Sequence, residues 1–222
     1  MLRVAIDGPG GTGKSTIAKA IGAKFGLEYI DTGAMYRSMA LKAVRTGVSP
    51  SDETAVAAML EETSIDFRDG RMYLDGEDVG GLIRTNEISM AASDISKLPC
   101  VRAKADELSK HLAATRNVVM EGRDITTVVI PDAEVKIFMT ASPEIRAQRR
   151  YDQLIEAGKS ADYDQIFEEI QKRDYQDSHR ALNPLRQAED AELLDTSYLT
   201  REEVVDAIST IITAKTGVIA AR

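Results

Sequence analysis

The stretch "IDGPGGTGKST" at residues 6–16 decides the architecture of this chain. It fits the pattern G-x-x-x-x-G-K-[ST], in which backbone amides and a lysine surround the phosphates of a nucleotide. The pattern therefore predicts a nucleotide site in this loop. Its residues are Gly8, Pro9, Gly10, Gly11, Thr12, Gly13, Lys14, Ser15 and Thr16.

The residues on either side of the glycines place this loop between a strand and a helix. The apolar run "RVAI" (3–6) is typical of a short buried strand. After the loop, Ile17, Ile21 and Phe25 recur every four residues, and Gly26 stands where a helix would end. In this context the amides of the loop and of the helix N-terminus converge on the phosphates.

Further along the chain, apolar runs alternate with helical spacing. Strands are predicted at 27–31, 117–121, 134–139 and 192–195, the last three buried. Helices are predicted at 34–47, after Ser51, and at roughly 143–157, 162–179 and 200–214. Thr200 and Glu203 have the spacing of a capping box. Five such repeats predict an α/β fold, a five-stranded parallel sheet wrapped by helices, with ligands beyond the carboxyl ends of the strands.

An insertion interrupts this alternation from about residue 63. The segment "SIDFRDGRMYLDGEDV" (64–79) alternates apolar and polar residues around Asp69-Gly70, which is typical of a hairpin. Two segments with helical spacing follow, at 85–97 and 100–114, separated by Pro99. We therefore expect a small antiparallel sheet with two helices, outside the parallel sheet.

Composition excludes several classes of protein. The 222 residues are 43% hydrophobic and 29% charged, as in a globular protein. No apolar run reaches the length of a membrane span, the N-terminus lacks the pattern of a signal peptide, and Cys100 is a single cysteine. We therefore expect a cytoplasmic protein without disulfides or membrane association. The net charge of −8 argues against a nucleic-acid partner.

Positive charge is nevertheless concentrated locally, as a polyanionic ligand requires. The arginines of the C-terminal half crowd one stretch: Arg146, Arg149, Arg150, Arg173, Arg180 and Arg186. Thr32 is expected in the turn after the second strand of the predicted sheet, Arg37 one turn into the helix that follows, and Arg123 after the third strand. Arg173, Asp177 and Arg180, at i, i+4 and i+7, are expected on one helix face. Arginine suits bidentate binding of phosphate. The alternative is a set of solvated helix faces and surface ion pairs.

Six stretches give a more specific resemblance. In this order and spacing they resemble bacterial-type cytidylate kinases, from about residue 3 to 200. They are "GPGGTGKST" (8–16), "DTGAMYR" (31–37), "IRTNEISMAASDISKLPCVR" (83–102), "EGRDITTVVIPDA" (121–133), "KIFMTASPEIRAQRR" (136–150) and "RDYQDSHRALNPL" (173–185). The resemblance implies a P-loop kinase with an inserted monophosphate-binding domain and a short helical lid, with ATP as donor and CMP or dCMP as acceptor.

The resemblance also implies domain bounds and residue roles. The domains are core at 1–37, 106–147 and 166–222, a monophosphate-binding domain at 38–105, and a lid at 148–165.

Arg37, Arg123 and Arg180 correspond to the ligands of the acceptor phosphate. Ser93, Arg102 and Asp124 correspond to the base readers, Arg173 and Asp177 to the sugar contacts, and Thr32 to a serine of the CMP site. Arg146, Arg149 and Arg150 correspond to the lid arginines, Arg149 on the ATP side. Glu121 stands where aspartate is more usual.

Direct phosphoryl transfer follows from these roles. Lys14 is expected on the β/γ-phosphates of ATP, with Mg²⁺ bridging those phosphates and the Ser15 hydroxyl as a ligand. The catalytic set is Lys14, Arg123, Arg146, Arg150 and Arg180. His111 and His179 are expected to be an exposed helix residue and a peripheral contact, and the protein a monomer.

Three alternatives use the same loop. One is a kinase for another small acceptor, such as UMP, another nucleotide or a shikimate-like compound. A GTPase switch normally has an [NT]-K-x-D stretch, and an ABC-type ATPase an LSGGQ-like stretch. Neither stretch occurs in this sequence.

Overall fold

The computed structural model describes residues 1–68 and 70–220, without the side chain of Asn86. The hairpin turn predicted at Asp69-Gly70 therefore lies partly outside the described residues. Among the helices of the described part of the chain, none combines the length and the apolar character needed to cross a membrane. The chain divides into two compact units, the first formed by Met1–Tyr29 with Asn117–Arg222 and the second by Ile30–Arg116.

The first unit is built around a parallel sheet. Its strands are β1 (Arg3–Asp7), β2 (Glu28–Asp31, whose last two residues belong to the second unit), β6 (Val118–Gly122), β7 (Val135–Thr140) and β8 (Glu192–Asp195). Its helices are α1 (Lys14–Phe25), α6 (Pro143–Glu156), α7 (Tyr163–His179) and α8 (Arg201–Thr216). These elements confirm the predicted five-stranded sheet and the three predicted C-terminal helices to within two residues.

The order of strands across the sheet is β2-β6-β1-β7-β8, so β1 lies at the centre. In parallel register, Val4 of β1 is paired with Val119 of β6 on one side and Val135 of β7 on the other. This order places the loop that follows β1 next to the segments that follow β6 and β7. Residues that are more than a hundred positions apart are thereby brought to one edge of the sheet.

The core of the first unit lies between this sheet and the helix pair α1 and α8. Helix α1 packs on β6 and on α8, and α8 packs on β7. The predicted apolar residues Ile17 and Ile21 are buried here with Ile208 and Ile212 of α8. Burial of such side chains removes about 1.5–3 kcal/mol of unfavourable hydration each, which fixes α1 and the loop before it on the sheet.

The second unit contains the predicted antiparallel insertion. Its elements are α2 (Thr32–Thr46), α3 (Glu53–Glu61), β3 (Ile65–Arg68), β4 (Arg71–Leu74), β5 (Glu77–Asp78), a 3₁₀ turn (Leu82–Arg84), α4 (Asn86–Ile95) and α5 (Pro99–Thr115). The strands form an antiparallel sheet in the order β3-β4-β5. Helix α2 packs on α4, α5 and β4. The described residues thus confirm a separate antiparallel sheet in the insertion.

Local signals define most helix ends. Asp31, Asp52 and Asp162 each accept a hydrogen bond from a backbone amide in the first turn of the helix that follows. At the start of α8, Thr200 and Glu203 form the predicted capping box.

Three expectations about local structure were wrong. Strand β8 was predicted to be buried, but it is the edge strand of the sheet, and Leu193 is exposed. Thr32 was predicted in a turn, but it is the first residue of α2, because Asp31 caps the helix. Arg180 was predicted on a helix face, but α7 ends at His179 and Arg180 has an extended backbone.

Candidate active site

The first residue of the phosphate loop between β1 and α1 has a conformation that only glycine can adopt. Gly8 has a φ of 148°, and a Cβ atom there would lie 1.9 Å from the carbonyl oxygen of Met139 on β7. At the other end of the loop, Gly13 has a φ of 92° and precedes the first residue of α1. The loop therefore turns its backbone tightly into the N-terminus of a helix, where amide groups attract anions.

Lys14 folds back over this loop. Its Nζ donates a hydrogen bond to the carbonyl oxygen of Pro9 at 2.7 Å, and the side chain is buried. Burial first, and the positive charge of Arg123 second, lower the pKa of Lys14 to about 7, although the negative charges of Glu121 and Asp7 oppose the shift. The amine is thus held beside the loop, where the negative charge of an incoming phosphate would favour its protonated form.

Two guanidinium groups converge on Gly10 in the middle of the loop. A Cβ atom at Gly10 would lie 3.5 Å from Nη2 of Arg123 and 3.9 Å from Nη1 of Arg173. Arg123 follows β6 and Arg173 lies on α7, so the two groups reach the loop from different elements. Positive charge is therefore concentrated where a phosphate would lie.

A buried carboxylate orients Arg123. Its Nε donates a hydrogen bond to Oδ2 of Asp177 at 2.7 Å. Burial raises the pKa of Asp177, but the charge and hydrogen bond of Arg123, with the charges of Arg173 and Arg180, lower it more, so that the pKa lies below its usual value. Conversely, Asp177 offsets the effect of burial on Arg123 and raises the pKa of its guanidinium. The pair is ionised at neutral pH.

Arg180 and Asp124 form a second ion pair in the same unit. Nη2 of Arg180 lies 3.5 Å from Oδ2 of Asp124, and Arg180 also donates two hydrogen bonds to the carbonyl oxygen of Asn183. The first unit therefore brings together six of the predicted residues at the carboxyl ends of its strands. They are Lys14, Arg123, Asp124, Arg173, Asp177 and Arg180.

Sequence reasoning missed Asp7, the last residue of β1. Its fully buried carboxylate accepts hydrogen bonds from the amides of Ile125 and Thr126 at 2.9 and 2.7 Å, and from the Thr126 hydroxyl at 2.6 Å. Burial raises its pKa, although these hydrogen bonds oppose the shift. Asp7 thus fixes the segment that carries Arg123 and Asp124. A charged residue ending an apolar strand directly before the glycines was the available signal.

The three arginines that we predicted as lid arginines occupy different environments. Arg146 is buried and bonded to protein groups, including Asp174. Arg149 donates hydrogen bonds to the hydroxyl and the carbonyl oxygen of Thr196 at 3.3 and 2.5 Å, and Thr196 in turn contacts the carbonyl oxygen of Thr12 in the phosphate loop. Arg150 is exposed and bonds to Gln153 one turn further along α6. Neither Asp174 nor Thr196 was singled out from the sequence.

The second unit holds the remaining predicted residues. Arg37 on α2 donates to Oδ2 of Asp31 at 2.8 Å, and a Cβ atom at Gly33 would lie 2.9 Å from its Nη1. Arg102 is buried on α5, donates to the carbonyl oxygen of Ser96 at 3.2 Å, and lies over the ring of Tyr36. Ser93 is half-buried on α4, and Thr32 is buried at the start of α2.

The two histidines lie in the environments that we predicted. His111 is exposed on α5. His179 is exposed at the end of α7, where its ring stacks on Tyr175 with 4.1 Å between ring centroids. Neither arrangement suggests a catalytic group.

The oxygen ligands near the loop suit Mg²⁺ bound together with a nucleotide. The Ser15 side chain is exposed in the first turn of α1, and the carboxylates of Asp7 and Glu121 act on the charge of Lys14. Glu121 also accepts a hydrogen bond from the Tyr29 hydroxyl at 2.7 Å. Within the described residues there is no cluster of three or more His, Cys, Asp or Glu that would hold a metal alone. Such a donor set fits a hard cation whose other ligands are phosphate oxygens and water.

Comparisons with known proteins identify the family of this chain. The family model described as cytidylate kinase matches residues 4–214. The chain is 44% identical over 217 residues to the cytidylate kinase of Mycobacterium leprae, covering 97% of each protein. It is 47% identical over 210 residues to that of Pelotomaculum thermopropionicum, covering 92% of this chain and 93% of the relative.

Among solved structures, an uncharacterized protein from Eubacterium ventriosum shares the fold. Its TM-score is 0.51 at 12% identity, and the match covers 96% of this chain and 98% of that protein. At this identity the likeness concerns the fold alone. The family match and the two relatives span nearly the whole chain, and the chain therefore belongs to the cytidylate kinase family of phosphotransferases.

Proposed function

We propose that this protein transfers the γ-phosphate of ATP to CMP or dCMP, giving CDP or dCDP. The observation that carries the proposal is the convergence of Arg123 and Arg173 on Gly10 of the phosphate loop, with Asp177 holding Arg123 in place. A loop that binds the donor is thereby bordered by the positive charge that a second phosphate needs. Membership of the cytidylate kinase family supports CMP as the compound that bears this second phosphate.

On the donor side, the loop amides and Lys14 bind the phosphates of ATP. Lys14 releases the carbonyl oxygen of Pro9 and follows the β- and γ-phosphates. The Ser15 hydroxyl would hold Mg²⁺, which would supply positive charge to the phosphates. Arg149, which contacts Thr196 beside the loop, belongs to the ATP side.

On the acceptor side, the residues that correspond to the CMP ligands of the family bind CMP. Arg37, Arg123 and Arg180 hold its phosphate, and Thr32 is a further CMP-binding residue. Ser93, Arg102 and Asp124 read the base, because a donating arginine and an accepting aspartate match N3 and the amino group of cytosine and mismatch uracil. Arg173 and Asp177 contact the sugar.

The transfer itself is direct, with no phosphoenzyme. The protein aligns the acceptor oxygen with the γ-phosphate and stabilises the charge that develops between them. Lys14, Arg123 and Arg180 touch the reacting phosphates, and Arg150, from the lid at 148–165, closes over them. We place the enzyme in the cytoplasm. We expect it to be a monomer, and light scattering of the purified protein tests this oligomeric state directly.

A coupled assay of ATP consumption with AMP, GMP, CMP, UMP and shikimate as acceptors tests the proposal. CMP should give the highest kcat/KM, because cytosine offers acceptors at N3 and O2 to Arg102 and an amino donor to Asp124, whereas uracil reverses the pattern at N3 and C4 and adenine lacks the O2 acceptor. A higher kcat/KM with another acceptor would refute the substrate assignment. ATP consumption that required no acceptor would instead indicate an NTPase.

A further inference from the structure

Arg146, at the base of α6, is surrounded by protein groups. Its Nε donates to the carbonyl oxygen of Ala141 at 2.9 Å, and Nη1 donates to the carbonyl oxygen of Gly10 at 3.1 Å. Nη1 and Nη2 form a bidentate pair with the two carboxylate oxygens of Asp174 at 3.0 and 2.5 Å. The side chain of Arg146 is 3% exposed and that of Asp174 is 26% exposed. Four hydrogen bonds thus occupy a guanidinium that has five N–H groups.

These four bonds join segments that bind different substrates in the proposed reaction. Ala141 follows β7, Gly10 lies in the phosphate loop, and Asp174 is on α7 next to Arg173. Gly10 is held from two directions, since its carbonyl oxygen contacts Arg146 while Arg123 and Arg173 approach its α-carbon. Arg146 therefore joins the phosphate loop to α7 by direct hydrogen bonds to both.

We propose that Arg146, acting through Asp174, is a positioning residue that sets the phosphate loop against α7 and does not touch the transferring phosphate. This inference rests on the proposed function and changes our prediction that Arg146 is catalytic. A fixed bidentate fork resists rotation better than a single contact does. Phosphoryl transfer needs this precision, because a displacement of about 1 Å at the reacting atoms lowers the rate roughly a hundredfold.

The test compares Arg146→Met, Asp174→Ala and the double variant in the CMP assay. Both single variants should lower kcat by about ten- to a hundredfold while KM for ATP and CMP stays within about threefold, since each nucleotide still binds but the two are misaligned. The double variant should be no slower than the slower single variant, because both changes remove one interaction. Losses that multiply, or an Asp174→Ala enzyme with normal kcat, would overturn the inference.

A second measurement does not depend on the acceptor. In ¹⁵N-labelled protein, Arg146→Met and Asp174→Ala should both displace the amide resonances of Gly10 and Gly11, because Gly10 loses its fixed contact. Unmoved resonances in either variant would contradict the role. If the wild type preferred an acceptor other than CMP, the proposed function would fail, and both measurements would still apply with that acceptor.

The chain offers a matched control at the opposite end of β1. Arg3 contacts Asp132 at 3.0 Å and Glu134 at 2.9 Å, far along the strand from the phosphate loop. Arg3→Met and Asp132→Ala should lower the melting temperature without changing kcat below it. A kcat loss in these controls equal to that of Arg146→Met would show that general destabilisation explains the effect and would overturn the inference.

Discussion

Binding of MgADP should take up a proton, because phosphate changes the protonation state of Lys14. With the pKa of the buried amine at about 7, only about a tenth of the free protein carries the ammonium at pH 8. A bound diphosphate favours the charged form and returns the pKa towards 10.5. The complex should therefore take up roughly 0.9 proton at pH 8, about 0.5 at pH 7 and about 0.1 at pH 6.

Isothermal titration calorimetry measures this uptake when the same titration is run in two buffers of different ionisation enthalpy. The affinity for MgADP should also fall by up to about tenfold per pH unit above pH 8, since deprotonation of Lys14 then competes with binding. Lys14→Met is the control and should bind weakly without this proton. Uptake below about 0.2 proton by the wild type at pH 8, or equal uptake by Lys14→Met, would refute the reasoning.

The same pKa shift has a consequence for stability that needs no nucleotide. Because the folded pKa lies below the unfolded value, the unfolded chain binds more protons between about pH 7 and 10.5. The contribution of Lys14 to the free energy of unfolding is therefore most unfavourable below pH 7 and improves as the pH rises. Lys14→Met should raise the melting temperature most near pH 6, with a difference that shrinks towards pH 10. A difference independent of pH would contradict the shift.

Three further predictions concern the acceptor. Arg123→Ala should lower kcat/KM for CMP by at least about a hundredfold with an unchanged far-UV circular dichroism spectrum, because the charge it supplies to the phosphoryl group is worth several kcal/mol; near-normal activity would remove it from the site. Asp124→Asn should reduce the ratio of kcat/KM for CMP over UMP, and an unchanged ratio would exclude Asp124 from base reading. The kcat/KM of the wild type for dCMP should lie within about tenfold of its kcat/KM for CMP. Asp177→Ala should lower kcat/KM for dCMP at least as much as for CMP, since the deoxy sugar keeps only its 3′ hydroxyl. A hundredfold deficit for dCMP would identify the 2′ hydroxyl as the anchor.

The sequence by itself determined the features that depend on neighbouring residues. The glycines and Lys14 of the loop, between an apolar strand and a helix of period four, defined the strand-loop-helix unit that is observed. Thr200 and Glu203 fixed the start of α8, since a capping box involves residues only three positions apart. The alternating insertion likewise separated an antiparallel sheet from the parallel one. Short-range hydrogen bonding and periodicity are sufficient for such inferences.

Only the tertiary structure decided which charged groups pair. The Arg123–Asp177 bond spans 54 positions, the Arg146–Asp174 pair 28, and the contacts of Asp7 with Ile125 and Thr126 span 118 and 119. Local spacing carries no information about these partners, because they meet through the strand order β2-β6-β1-β7-β8. The same order leaves β8 at an edge, although its apolar residues predicted a buried strand. The physical reason is that burial and ion pairing depend on which segments the sheet brings together, and the separation of two residues along the chain does not fix that.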